Sequence, residues 1–303
     1  MTFQFNFKDT LAASERVHWR VEDLIGGDKA LDFSRPFLPE TFARTDSLDF
    51  LSEHERLVLN QLRGHNYLYL FGLVEEFILP FVLDHARPQL VGDLYRIRAF
   101  LQFATEEAKH IHLFKCFRED FLDRFGTDVD VIGPPEAIAE AVLANDPLSV
   151  ALVILQLEWM TQAHYVGSVR DDRGLCPQFK SLLKHHWMEE AQHAKLDTLI
   201  VQALAEGRDP ASLEEAVDGY LRIGAMLDGG LKQQVEFDLD ALQKATGCLM
   251  SDEERARAAA VQHQAMRWTF LGSGMTHPNF LASLEAMDPR LRDRIETVAP
   301  TFC

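Results

Sequence analysis

The chain has 303 residues, 47% of them hydrophobic, and a formal charge of −17. That length supports a large buried core, and the acidic balance disfavours nucleic acid as a partner, since a phosphate backbone calls for a basic footprint. Four scattered cysteines (Cys116, Cys176, Cys248, Cys303) without C-x-x-C spacing argue against a zinc knuckle, a redox dithiol or a disulfide framework, and predict reduced thiols in a cytoplasmic protein.

The start, MTFQFNFKDT, has no basic region followed by an apolar stretch, so no secretory signal is expected. Residues 1–50 mix Phe, Pro and charge without a sustained period and read as an extended arm wrapping the core. Ser52-Glu53-His54-Glu55 is a capping box, in which hydroxyl and carboxylate satisfy free backbone amides, and it opens a helix predicted to reach about residue 85. Pro88 stops that helix, and a second runs from near Asp93 through Phe121 to a close at Gly126. A short helix over 135–144 follows. Asn145-Asp146-Pro147 starts a third long helix, to about residue 170, and Pro177 a fourth that ends at Gly207.

Capping boxes at Ser212-Leu213-Glu214-Glu215 and Ser251-Asp252-Glu253-Glu254 begin two more helices, and a last one covers about 279–298. The apolar run 150–157 breaks at Glu158 and is shorter than the roughly 20 residues of a membrane span, so no membrane partner is expected. The expected fold is all-α: a four-helix core over 51–207, with the helices of 208–303 packed on it in one domain.

The second helix contains Glu107-Ala108-Lys109-His110 and the fourth Glu190-Ala191-Gln192-His193. Residues three apart share a helix face, so each Glu-x-x-His presents one carboxylate and one imidazole to the same point. The helix before each motif carries glutamate in an apolar stretch: Glu75-Glu76 in LFGLVEEFILPF and Glu158 in VILQLEWM. An isolated Glu-x-x-His is usually a solvated helix face. Two, each preceded at nearly equal distance by a glutamate in an apolar helix, place four carboxylates in a core, where a metal cation is the partner that offsets them together. Neighbours on a helix lie about 100° apart, so Glu75 and Glu76 cannot both face the metals. Glu76 is preferred, with Glu75 the alternative, because Glu76 shares a face with Tyr69, Gly72 and Leu83, and Pro80 follows four residues later. Glu106 and Glu189 are expected to face away, toward salt bridges or solvent.

This arrangement resembles the ferritin-like di-iron carboxylate superfamily, in which two helices give one Glu each and two give Glu-x-x-His. Oxygen and imidazole donors suit iron or manganese, so two iron ions, or a mixed Mn/Fe pair, are expected with dioxygen as co-substrate. His186, four residues before Glu190, gives His-x-x-x-Glu-x-x-His, while the matching position in the second helix is Phe103. The additional histidine resembles the p-aminobenzoate N-oxygenase family, over roughly residues 52–207. That resemblance implies oxidation of a small organic substrate by N-oxygenation of an amine, at metals held by Glu76 (or Glu75), Glu107, His110, Glu158, His186, Glu190 and His193. The alternative for His186 is a hydrogen bond to a ligand rather than ligation.

Phe103, Thr161, Gln162 and Tyr165 lie one or two turns from the ligand candidates and are candidate substrate contacts, although core packing is the commoner role of such residues. An external electron donor and a homodimer complete the expected partners. Three other readings are open. A radical-generating oxidase like the small subunit of ribonucleotide reductase would use Tyr69 or Tyr165, each seven residues from a ligand candidate. A ferritin-like iron-handling protein would have no organic substrate. A helical interaction protein would hold no metal.

Overall fold

The computed structural model describes residues 5–303. The helices are α1 (Phe7–Ser14), α2 (Glu40–Ala43), α3 (Glu53–Ala86), α4 (Leu94–Phe125), α5 (Pro135–Leu143), α6 (Pro147–His164), α7 (Pro177–Ala205), α8 (Pro210–Thr246), α9 (Asp252–Arg267), α10 (Ser273–Met275), α11 (Pro278–Met287) and α12 (Pro289–Val298). Among the described residues there is no strand beyond one isolated bridge, Gly26 to Lys29. The expected all-α class therefore holds.

Helices α3, α4, α6 and α7 form the central bundle. α3 packs along α4 and α6 along α7, each pair joined by a short connection, and α4 meets α7 between the pairs. α6 is apolar all round and buried from Leu148 to Thr161, as a helix enclosed on every side must be. α3 is long and apolar enough to cross a membrane, yet 72% of its most apolar window is buried inside the protein, which is the burial of a core helix.

α8 lies across the bundle against both α3 and α6. Its close approach to α6 depends on Gly219, where a Cβ would stand 2.2 Å from Ser149 Oγ; that hydroxyl donates to Ala216 O at 2.7 Å. A buried polar network ties α8 to α3 and to the loop before α5. Asn66 Nδ2 and Gln234 Nε2 both donate to Asp238 Oδ1, the latter at 3.1 Å, and Ile132 N donates to Gln234 Oε1 at 2.9 Å.

The segment preceding α3 packs on the core, burying Leu31, Phe37, Leu38, Phe42, Leu48 and Leu51. Asn60 on α3 clamps it: its Oδ1 accepts from the amides of Phe37 (2.8 Å) and Leu38 (3.0 Å), and its Nδ2 donates to Leu38 O. The arm is not wholly extended, however, since α1 packs on α4 and α7, with Asn6 capping its first turn. Two further boundaries differ from expectation. α8 starts at Pro210 with Asp209 as its cap, because Pro at the first helical position and an Asp side chain accepting from Ser212 N outcompete the Ser212 box. The last helix is two, because Pro289 has no N–H to continue α11 and extended Asp288 caps α12. The third long helix also changes character, continuing past His164 as a π-helical turn, Tyr165–Val169. The boxes at Ser52 and Ser251 form as expected.

Candidate metal centre

The centre lies where the four central helices meet. α3 contributes Glu75, α4 Glu107 and His110, α6 Glu158, and α7 His186, Glu190 and His193, none more than 4% exposed. The three α7 residues stand four and three apart, so one helix face carries all of them inward.

Two overlapping groups result. One ligand atom each from Glu75, His110, His186 and Glu190 lie within 4.8 Å of one another, and so do those from Glu107, His110, Glu190 and His193. Glu190 and His110 belong to both. The Glu158 carboxyl abuts that of Glu190 and stands outside either group of four.

The preference for Glu76 is corrected. Glu76 is exposed, and Glu75 is the α3 carboxylate in the cluster, its Oε1 3.0 Å from His186 Nε2. The rotation of α3 follows from packing: Phe71, one turn earlier on the Glu75 side, sets its ring 5.4 Å from that of His186. Pro80 lies inside an α3 that runs on to Ala86.

His110 and His193 each turn Nδ1 toward the centre. His110 Nδ1 is 3.1 Å from Glu190 Oε1, and His193 Nδ1 is 2.8 Å from Glu107 Oε1. His186 Nε2 is 2.7 Å from Glu190 Oε1. Several of these approaches lack hydrogen-bond alignment: both Glu107 oxygens, Glu190 Oε1, Glu75 Oε2, Glu158 Oε2 and His110 Nδ1 are buried without a hydrogen-bond partner. Buried polar atoms are almost always paired. Carboxylate and imidazole lone pairs converging unpaired on one space are the donor set of a metal site, and this set can hold two metal ions.

The outer nitrogens of the two motif histidines are held by the glutamates expected to face away. His193 Nε2 is 2.9 Å from Glu106 Oε2, and His110 Nε2 is 2.8 Å from Glu189 Oε2. Each pair crosses between α4 and α7, so the two helices brace each other's histidines. Glu106 also accepts from Ser14 Oγ at 2.5 Å and from Gln102 Nε2 at 2.9 Å; Glu189 pairs with Lys109 Nζ at 2.5 Å. Both carboxylates are buried in ion pairs, so of the two expected partners the salt bridge is found and solvent is not. Trp19 from the arm stacks on His110, rings 6.0 Å apart and nearly parallel, with Lys109 Nζ 3.9 Å from the indole centroid.

Burial and the adjacent Glu190 charge raise the Glu158 carboxyl well above its ordinary range. Burial and the charge of Glu107 push Glu75 up to about 8. Glu190 is held well below the usual carboxylate range against the effect of burial, by His186 and His193. Burial works against the imidazolium of His110 and of His193, yet both titrate well above the ordinary histidine value, His110 through Glu75, Glu189 and Glu190, and His193 through Glu190, Glu107 and Glu106. Without a cation the cluster therefore retains protons that bound metal would displace.

Two residues at the centre escaped the sequence reading. Asp197, one turn beyond His193, is fully buried with both carboxylate oxygens unpaired, its proton retained through burial; an aspartate inside the apolar run KLDTLIV was the available signal. Tyr67 has its hydroxyl pushed up by burial and by the Glu190 charge. By contrast, Tyr69 donates to Ile132 O under the Arg118 guanidinium, and Tyr165 stacks on Trp187 at 4.6 Å.

Of the candidate substrate contacts, Phe103 is buried with its ring stacked 4.1 Å from His193. Thr161 Oγ1 donates to Leu157 O at 3.0 Å, and Gln162 Nε2 to Trp187 O at 3.2 Å. These three and Tyr165 pack within the bundle, and none lines the apolar cavity of about 220 Å³ enclosed by α3, α6, α8 and the segment 132–138.

Together the fold and the centre define a ferritin-like helical bundle with a buried carboxylate and histidine site for two metal ions. No protein-family model matches the chain, and no curated protein matches it. Among solved structures it is similar to R2-like ligand-binding oxidases. A variant with an aerobically reconstituted Mn/Fe cofactor aligns at 14% identity and a TM-score of 0.46, over 90% of this chain and 94% of that one. A variant with an aerobically reconstituted Fe/Fe cofactor aligns at 15% identity and a TM-score of 0.48, over 92% and 94%.

Proposed function

We propose that the protein is a di-iron oxidoreductase that uses dioxygen to oxidise a small organic molecule. The observation carrying this reading is the pair of overlapping groups, Glu75, His110, His186 and Glu190 with Glu107, His110, Glu190 and His193, buried with unpaired donor atoms directed inward. Glu158 completes the set beside Glu190. Two ferrous ions held there would supply electrons for reducing dioxygen, and a mixed Mn/Fe pair is the alternative occupant.

The chain's own residues supply orientation and dryness. Glu106 and Glu189 take the Nε2–H of His193 and His110, which fixes the tautomer that leaves each Nδ1 lone pair facing the metals. Phe71, Phe103 and Phe114 wall the site with rings against His186 and His193, excluding water. His186 adds a third neutral donor, and by its resemblance to the p-aminobenzoate N-oxygenases favours oxygen transfer to an amine. An external electron donor, a homodimer and a cytoplasmic setting belong to the same proposal.

The test is metal content per chain by plasma mass spectrometry after anaerobic iron loading, followed by mixing with dioxygen while the visible spectrum is recorded. Close to two irons and an oxygen-dependent band are expected. Substoichiometric iron with no such band overturns the reading and returns the paired motifs to structural charge.

A further inference from the structure

We propose that the apolar cavity beside the centre is the chamber for the molecule to be oxidised, and that this molecule is uncharged and predominantly apolar, as a neutral arylamine is, with no carboxylate or phosphate. The inference rests on the reading of the centre as an oxygen-activating site and supplies its substrate class.

Helical geometry places the cavity one layer of side chains from the metals. Leu70, Leu73 and Val74 share the face of α3 that lines the cavity, while Phe71 and Glu75 occupy the adjoining face that lines the cluster. On α6 the same division falls between Leu157, in the cavity wall, and Glu158, against Glu190. Phe270 closes the remaining side: it lines the cavity, packs 5.7 Å from Phe71, and Phe71 in turn contacts His186. The Phe71 and Phe270 rings are thus the layer that must turn aside for a molecule in the cavity to meet the centre.

The walls decide the chemistry. Gln233 is the sole polar side chain among the described lining residues, and it is exposed at the mouth beside Met226, itself 40% exposed. A carboxylate or phosphate entering would shed its hydration and find no cation or buried donor in return. The volume of about 220 Å³ exceeds the roughly 150 Å³ of an apolar protein cavity that holds benzene, so a substituted ring or an alkyl chain of similar bulk fits. Gly230 and Ile132 close one stretch of the wall: both line the cavity, and a Cβ at Gly230 would meet Ile132 Cδ1 at 3.1 Å, so a larger side chain there must turn into the cavity or displace Ile132. α8 is in this sense the cover of the chamber.

The test is fluorine NMR of 4-fluorotoluene and of 4-fluorobenzoate with the full chain, metal-free and loaded with manganese(II) or zinc. Saturable binding of 4-fluorotoluene is expected, at least tenfold tighter than 4-fluorobenzoate, with faster relaxation of the bound fluorine in manganese-loaded than in zinc-loaded protein. Gly230→Leu and, on the half-buried opposite wall, Ile138→Phe should each abolish binding while leaving helicity and metal content unchanged. Equal or tighter benzoate binding, insensitivity to both substitutions, or no manganese effect on relaxation overturns the inference. If manganese and zinc do not bind but 4-fluorotoluene still occupies the cavity, the metal reading fails and the cavity assignment stands. If both metals bind and 4-fluorotoluene does not, the cavity assignment alone fails.

Discussion

Glu106 and Glu189 each stand one residue before a motif glutamate, yet each reaches across to the histidine of the opposite helix. Glu106→Ala should weaken metal binding about 10- to 100-fold by freeing the outer nitrogen of His193, measured by competition with a chromophoric chelator, with the fold retained in circular dichroism. Glu158 makes the opposite case, a buried carboxyl with one oxygen unpaired. Glu158→Leu should raise metal-free stability by about 1–3 kcal/mol while removing metal, so that in thermal unfolding iron raises the midpoint of the parent and leaves that of the variant unmoved. At this scale the sequence was legible wherever three-residue spacing set direction, as in Glu107, His110, Glu190 and His193. It was illegible where two acids adjoin. Glu75 and Glu76 share their apolar flanks, and the rotation choosing between them comes from Phe71 packing against His186, a contact between residues far apart in the chain. The roles of Glu106 and Glu189 were hidden for a related reason: direction along one helix does not tell how far a glutamate reaches toward another.

At the level of helices, start signals carried most of the information. Ser52 and Ser251 cap as their boxes imply, since both partners lie within four residues. The Ser212 box failed because Asp209 and Pro210 supply a stronger start just upstream, and the π-helical turns Tyr165–Val169 and Trp268–Gly272 had no local signal at all. The passage of α8 over α6 depends on a residue without a side chain. Gly219→Leu should force Ser149 from its bond to Ala216 O, costing about 1–3 kcal/mol in overall stability by denaturant unfolding, because the crowding atoms belong to a hydroxyl already seated against backbone. Gly126→Ala, at an open helix end with φ 76°, should cost about 1–2 kcal/mol, because an L side chain is strained in the left-handed region even where nothing crowds it.

At the scale of the whole molecule, Asp238 is a titrating group outside the metal cluster whose effect has a definite sign. Burial pushes Asp238 up to about 7, while Arg63, Gln234 and Asn66 pull the other way. The folded chain thus keeps a proton that the unfolded chain releases between about pH 4 and 7, and stability falls as pH rises through that window. In metal-loaded protein, Asp238→Asn should remove that component of the slope, on the order of 4 kcal/mol across the window, read from thermal midpoints at stepped pH.

The arm ties together residues far apart in the chain. Ser14 meets Glu106 across 92 residues, and Asp32 N meets Cys176 Sγ across 144. Trp19 covers His110, and Glu106 is the support of His193, so the arm touches both histidine anchors. During synthesis the contacts with α4 can close as soon as α4 has formed, whereas that of Asp32 with Cys176 also needs the start of α7, so the arm settles in steps. Trp19 lies over His110, so exchange of bound ions should follow how often the arm lifts.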